Sequence, residues 1–194
     1  MAIKVIICLV LGYIFGCFQT GYFYGKLFKG IDVRNYGSGN AGTTNTLRTL
    51  GKPAGYIVFL GDALKAVFAV WIVRYLLFPG LGDVTKILET VTALGVVIGH
   101  NYPFYMHFKG GKGIASTAGI LVAMDWRITL VCAVIFLASV ILTRYVSLGS
   151  ILVVVAFLAQ IIFYGLGGSY QVAPENMTEF FCVAAFVTLM AIWR

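Results

Sequence analysis

Charge is what this sequence has least of. Only 11% of its 194 residues are Asp, Glu, Lys or Arg, against about a quarter in soluble domains, and the mean hydropathy of +0.95 excludes a soluble globular protein. Acids are scarcer than bases: seven Asp and Glu against fourteen Lys and Arg leave a net charge of +7. The four cysteines, Cys8, Cys17, Cys132 and Cys182, fall inside apolar stretches with no C-x-x-C pairing. Buried thiols are therefore expected, and neither disulfides nor a metal site. No small-x-small cleavage pattern follows the N-terminal "MAIKVIICLVLGYIFGCF", so it reads as an uncleaved first membrane helix. The expected fold is an all-α integral membrane protein, a single transmembrane domain over residues 1–194.

Apolar runs recur at Val5–Phe23, Ala54–Phe78, Ile87–Phe104, Ile114–Met124, Ile128–Thr143, Val146–Gly165 and Phe180–Trp193, which predicts a bundle of about seven transmembrane helices. Crossing the hydrocarbon takes about 20 residues, so the run Ile114–Met124 has to borrow its flanks or cross only part of the bilayer. Lys and Arg accumulate on the cytoplasmic side of membrane proteins. With the N-terminus outside and the C-terminus cytoplasmic, the inner loops hold Lys26, Lys29, Arg34, Arg48, Lys52, Lys109, Lys112, Arg144 and Arg194, and the outer ones only Lys4, Arg74, Lys86 and Arg127. That orientation is the expected one.

The same orientation brings two polar segments to the cytoplasmic face, "GSGNAGTTNTLR" (37–48) and "GHNYPFYMHFKGGKG" (99–113). Both combine glycine, small hydroxyl or amide side chains and cations, the chemistry of a phosphate site. Gly37-x-Gly39-x-x-Gly42 follows no predicted strand, which argues against a dinucleotide fold, and "FKGGKG" has Gly113 where a Walker loop needs Ser or Thr. Singly, Gly39 and Gly42 can be turn residues and Asn40, Thr43 and Thr44 helix caps. Capping and anion binding coexist at a helix N-terminus, and Arg48 one turn on can fork onto a phosphate. Two such clusters suggest two phosphates.

A His-x4-Asp acyltransferase dyad is absent: Tyr105 stands five residues after His100, and Lys112 five after His107. His100, next to Asn101, either bonds substrate or satisfies backbone carbonyls, and His107 reads as structural. Asp62 and Lys65, i and i+3 in an apolar run, can pair on one face; a functional role and a purely structural one are both open. "TRYVSLGS" (143–150) returns the chain to the inner face with Arg144, Ser147 and Ser150.

In order and spacing, "GSGNAGTTNTLRTLGK", "GDALK", "GHNYPFYMHFKGGKGIAS" and "RYVSLGSI" resemble the bacterial acyl-phosphate-dependent glycerol-3-phosphate acyltransferases, the PlsY family, over nearly the whole chain. The resemblance implies a seven-helix inner-membrane enzyme that works at its cytoplasmic face without a cofactor. Its substrates would be acyl phosphate and glycerol 3-phosphate, and its products lysophosphatidic acid and phosphate, for bacterial phospholipid synthesis. Membrane lipid surrounds such a protein, the acyl-phosphate-making enzyme is a candidate partner, and nucleic acid is not.

Carried over by position, the resemblance places Ser38, Arg48 and Lys112 at the reaction centre. Gly39, Asn40, Thr44, Asn45, Lys109, the amides of Gly110 and Gly111, and Ser150 would bind phosphate, with His100 and Asn101 less directly. The family pattern continues past the last helix with an Arg-His-x-x-Asn motif that this sequence lacks after Arg194. A 194-residue form is on that ground expected to turn over more slowly than an extended one. The alternative reading is a membrane transporter of a phosphorylated metabolite built on broken helices, but no internal repeat supports it.

Overall fold

The structure, a computed structural model, describes residues 1–170 and 172–193; Arg194, counted above among the inner cations, lies outside the described residues. The chain is helical, with no strand among those residues. In order come α1 (Ala2–Cys17), α2 (Thr20–Lys29), α3 (Thr43–Leu50), α4 (Lys52–Trp71), α5 (Asp83–Asn101), α6 (Ile114–Met124), α7 (Trp126–Thr143), α8 (Val146–Leu166) and α9 (Met177–Trp193). Five helical stretches, 2–29, 52–77, 126–143, 146–166 and 174–193, are long and apolar enough to cross a membrane.

Two expected spans depart from that standard. α5 has 19 residues but carries Asp83, Lys86 and Glu89, and α6 stops after 11, about 16 Å of helix. α6 does not borrow its flanks, because Gly113 precedes it at φ +78° and the extended Asp125 follows it. The run Val5–Phe23 was expected as one helix and is broken in two at Phe18–Gln19.

α5 forms the centre. It is buried on nearly every side, its polar Glu89, Thr90, Thr92, His100 and Asn101 included, and α1 lies along it. The contact is built on two Gly-x-x-x-Gly patterns facing one another. A Cβ at Gly12 or Gly16 of α1 would sit 2.2 Å from the carbonyl oxygen of Thr92 or Val96, and one at Gly95 or Gly99 of α5 would sit 2.4 or 2.2 Å from that of Leu9 or Tyr13. Small residues let two backbones touch where lipid supplies no hydrophobic drive between helices.

Outward, the helices present large apolar side chains such as Ile3, Leu27, Leu142 and Trp126, as lipid-facing surfaces do. Cys8, Cys17 and Cys132 are buried as expected, whereas Cys182 is exposed on α9. Among the buried charges, Glu89 takes a two-pronged bond from Arg74 at 2.6 Å on each oxygen. At the same end, Asp83 at the start of α5 accepts from Asn176 and from the Ala173 amide. At the opposite end Asn101 closes α5 by donating to the Met190 carbonyl of α9.

Candidate functional site

Two loops meet at the end of the bundle where α5 finishes. The first, residues 30–42, is shaped by one side chain. Asn45, buried in the first turn of α3, donates through Nδ2 to the carbonyls of Val33 (2.8 Å), Tyr36 (3.0 Å) and Asn40 (2.9 Å), and its Oδ1 accepts from the Ser38 amide at 2.8 Å. The expectation that Asn45 binds phosphate is corrected: its polar atoms are consumed inside the loop, and it holds the loop's form. Gly37, at φ +58°, has room for no side chain, because a Cβ would lie 2.3 Å from Asn45 Oδ1.

The loop delivers the chain into α3 with Gly42 as N-cap and no side-chain cap. The first-turn amides are left open, Thr43 Oγ1 is enclosed without a partner, and Thr44 and Arg48 stand exposed on the same helix. Ser38 and Gly39 are exposed and Asn40 half-buried at the loop's rim. Asn40 Oδ1 is committed to the Gly42 amide at 2.8 Å.

The second loop, residues 102–113, folds back onto the end of α5. Here a second expectation is corrected. The amides of Gly110 and Gly111 do not face an anion; they donate to the carbonyls of Asn101 (3.1 Å) and His100 (3.0 Å). Glycine is needed for closeness instead, since a Cβ would lie 2.1 Å from the His100 carbonyl oxygen at 110 and 2.0 Å from His100 Nε2 at 111. The first turn of α6 follows, capped by Gly113 with no side-chain cap on its amides; Ala115 and Ser116 there are buried and Ile114 half-buried. Lys109 and Lys112 are exposed beside that turn. Like Arg48, they enter no ion pair among the described residues.

Arg34 joins the two loops, and sequence reasoning missed it. Its Nη1 donates to the carbonyls of Met106 and Lys109, both at 3.3 Å, while Asp32 grips the rest of the guanidinium at 2.7 Å. The hydrogen bond from Arg34 holds the Asp32 carboxyl below the usual carboxylate range. Nothing in the sequence separated Arg34 from the other loop cations.

His100 is 2% exposed, so of the two roles left open for it, burial favours the one inside the protein. Its Nδ1 lies 2.9 Å from Lys65 Nζ and 3.3 Å from Ser116 Oγ, and Lys65 pairs with Asp62 at 2.9 Å, as the i, i+3 spacing predicted. Asn101 is likewise fully buried and bonded to α9, so it ties helices together.

From the first turns of α6 an apolar cavity of about 350 Å³ runs between α4, α6, α7 and α8, walled by Phe59, Ile114, Ala118, Ala133 and Phe136 among others. Thr117, Thr129 and Ser150 are its hydroxyl-bearing members. The Ser150 hydroxyl donates to Val146 in its own helix at 2.9 Å, which spends its one donor and does not suit the expected bond to a phosphate. No sequence signal marked this groove.

Exposed cations on α3 and the second loop stand at one end of the bundle, and an apolar cavity begins at the first turn of α6. The sequence profile of glycerol-3-phosphate acyltransferase matches residues 6–194. The chain belongs to the glycerol-3-phosphate acyltransferase family. A family member from Prochlorococcus marinus (strain NATL1A) is 38% identical over 97% of this chain and 89% of its own length. One from Clostridioides difficile (strain 630) is 45% identical over 75% of this chain and 71% of its own.

Two crystal structures of PlsY, an integral membrane glycerol 3-phosphate acyltransferase, superpose on this glycerol-3-phosphate acyltransferase at 31% identity. The glycerol 3-phosphate form has a TM-score of 0.75 and covers 94% of this chain and 86% of that one. The lysophosphatidic acid form has a TM-score of 0.73 and covers 96% and 87%. The chain is thus a multi-pass membrane acyltransferase, and family membership does not favour the transporter alternative.

Proposed function

We propose that this glycerol-3-phosphate acyltransferase takes its acyl group from acyl phosphate and passes it to the 1-hydroxyl of glycerol 3-phosphate, releasing lysophosphatidic acid and inorganic phosphate. The carrying observation is the pairing of two helix N-termini without side-chain caps, α3 and α6, with the cavity that leads off from α6. One phosphate belongs to each N-terminus, where backbone amides and the helix dipole favour an anion. Arg48, Lys109 and Lys112 add charge, Ser38, Gly39, Asn40 and Thr44 line the first position, and the acyl chain lies in the groove past Ser150.

The chemistry asks little of the protein beyond placement. The glycerol hydroxyl oxygen attacks the acyl carbonyl, the bond from that carbon to the phosphate oxygen breaks, and the hydroxyl proton passes to a phosphate oxygen. Phosphate is a good leaving group, so no covalent enzyme intermediate is needed. Arg48 and Lys112 offset the repulsion of two anions and stabilise the charge that gathers on the carbonyl oxygen. On this reading the chain is one unit of seven membrane helices in a bacterial inner membrane, N-terminus outside, with the site at the cytoplasmic face where the cations of loops 30–51 and 102–113 collect.

The donor assignment is tested with purified protein in detergent, glycerol 3-phosphate, and either palmitoyl phosphate or palmitoyl-CoA. Lysophosphatidic acid is expected from the phosphate donor alone. Equal use of the thioester would reject the assignment.

A further inference from the structure

The buried pair Asp62–Lys65 sits where α1 breaks from α2, and each charge faces a helix end of opposite polarity. Lys65 Nζ donates to the carbonyls of Gly16 (3.1 Å) and Phe18 at the C-terminal end of α1. Asp62 Oδ1 accepts from the Thr20 amide (3.3 Å) and hydroxyl (3.0 Å) at the N-terminal end of α2. A cation thus meets a helix C-terminus and an anion a helix N-terminus, the favourable sense for both dipoles. The break frees backbone groups that lipid cannot satisfy, and this pair satisfies them.

Lys65 reaches further. An ammonium can only donate, and its three protons are shared among the Gly16 and Phe18 carbonyls, Asp62 and His100 Nδ1 at 2.9 Å; Nδ1 is then an acceptor and Nε2 carries the imidazole proton. That nitrogen abuts Gly111, and the His100 carbonyl takes the Gly111 amide at 3.0 Å and Gln19 Nε2 at 2.9 Å. Ser116, in the first turn of α6, touches the same Nδ1 at 3.3 Å. Lys65 supports His100, and His100 supports both the glycine loop and the N-terminus of α6.

We propose that Lys65, with Asp62, is a positioning residue for acyl transfer: acting through His100, it sets the height at which Lys112 and the first-turn amides of α6 meet a substrate phosphate. The proposal rests on the reading that α6 binds a phosphate. A neutral pair that keeps the shape, Asp62→Asn with Lys65→Gln, leaves no lone buried charge but loosens His100, because an amide has two donors where the ammonium has three.

The test is steady-state kinetics of that double variant beside Lys112→Ala, with each substrate varied in turn. The expected result is a rise in KM on the order of ten-fold, the signature of weakened phosphate binding in the ground state. The rise should fall on the same substrate whose KM the Lys112→Ala change raises, with the other KM within about two-fold of wild type. A pair that served folding alone would reduce the active fraction, lowering the maximal rate with both KM values unchanged; that outcome overturns the proposal. If Lys112→Ala also leaves both KM values and the rate unchanged, the phosphate reading of α6 fails as well. Should the double variant not fold, Thr20→Val removes one bond to Asp62 and keeps both charges, and an unchanged KM there, in place of an expected rise of about three-fold, overturns it equally.

Discussion

Substituting Gly16 by alanine adds one methyl group at the most crowded point of the α1–α5 contact. The new Cβ would lie 2.2 Å from the Val96 carbonyl oxygen and 2.9 Å from the His100 amide nitrogen, both backbone atoms. Neither can rotate away, so α1 has to move off α5 by roughly 1 Å, and overpacking of this kind costs about 1–3 kcal/mol. That is roughly a 5- to 150-fold fall in the folded-to-unfolded ratio. The displacement also pulls the Gly16 carbonyl from Lys65, so activity should fall further than the folded fraction does. The folded fraction can be followed by titrating a denaturing detergent into protein held in a mild one, with acyltransfer assayed in parallel. A Gly16→Ala protein that matched wild type in both would refute the close backbone contact itself.

Other perturbations reach the site from different sides. Arg48→Ala and Lys112→Ala should each lower kcat/KM by about 10²- to 10³-fold, as loss of a preorganised stabiliser of transition-state charge does, while His107→Ala stays near wild type; steady-state assays decide. Asp32, whose carboxyl Arg34 holds below its usual range, contributes stability above its unfolded pKa of about 4 and loses it as pH falls through its lower folded value. The stability gap between wild type and Asp32→Asn should therefore be constant from pH 8 to about 5 and close only below about pH 4, read by thermal unfolding at each pH. Ala133→Phe should fill the cavity between α6, α7 and α8 and depress turnover of palmitoyl phosphate by about ten-fold or more while sparing a short-chain acyl phosphate, since each buried methylene contributes about 0.8 kcal/mol.

The membrane class, the helical content and the two polar segments were legible because composition and pattern carry them directly. So was the Asp62–Lys65 pair, since two charges in hydrocarbon have to find each other. The break at Phe18–Gln19 was not, because the groups that satisfy its backbone, Lys65 and Asp62, lie some 45 residues away in the chain. The Gly12, Gly16, Gly95 and Gly99 seam was passed over for the same reason: a glycine four residues from another gains meaning only when the facing helix is known. The glycines of "FKGGKG" were read as amide donors, and the residues that sequence reasoning grouped together turn out to differ in kind. Lys109 and Lys112 stand open, whereas Gly110, Gly111, Asn45 and Asn101 spend their polar groups on the protein itself.

The most direct measurement is a structure of this chain with glycerol 3-phosphate and a non-hydrolysable acyl phosphonate bound together. One phosphorus centre should lie at the first turn of α3 with Arg48 and the other at the first turn of α6 with Lys112, oxygens about 3 Å from the first-turn amides, and the acyl chain should follow the cavity past Ser150. Either ligand found instead at the far end of the bundle, against Arg74 or Arg127, would contradict the account.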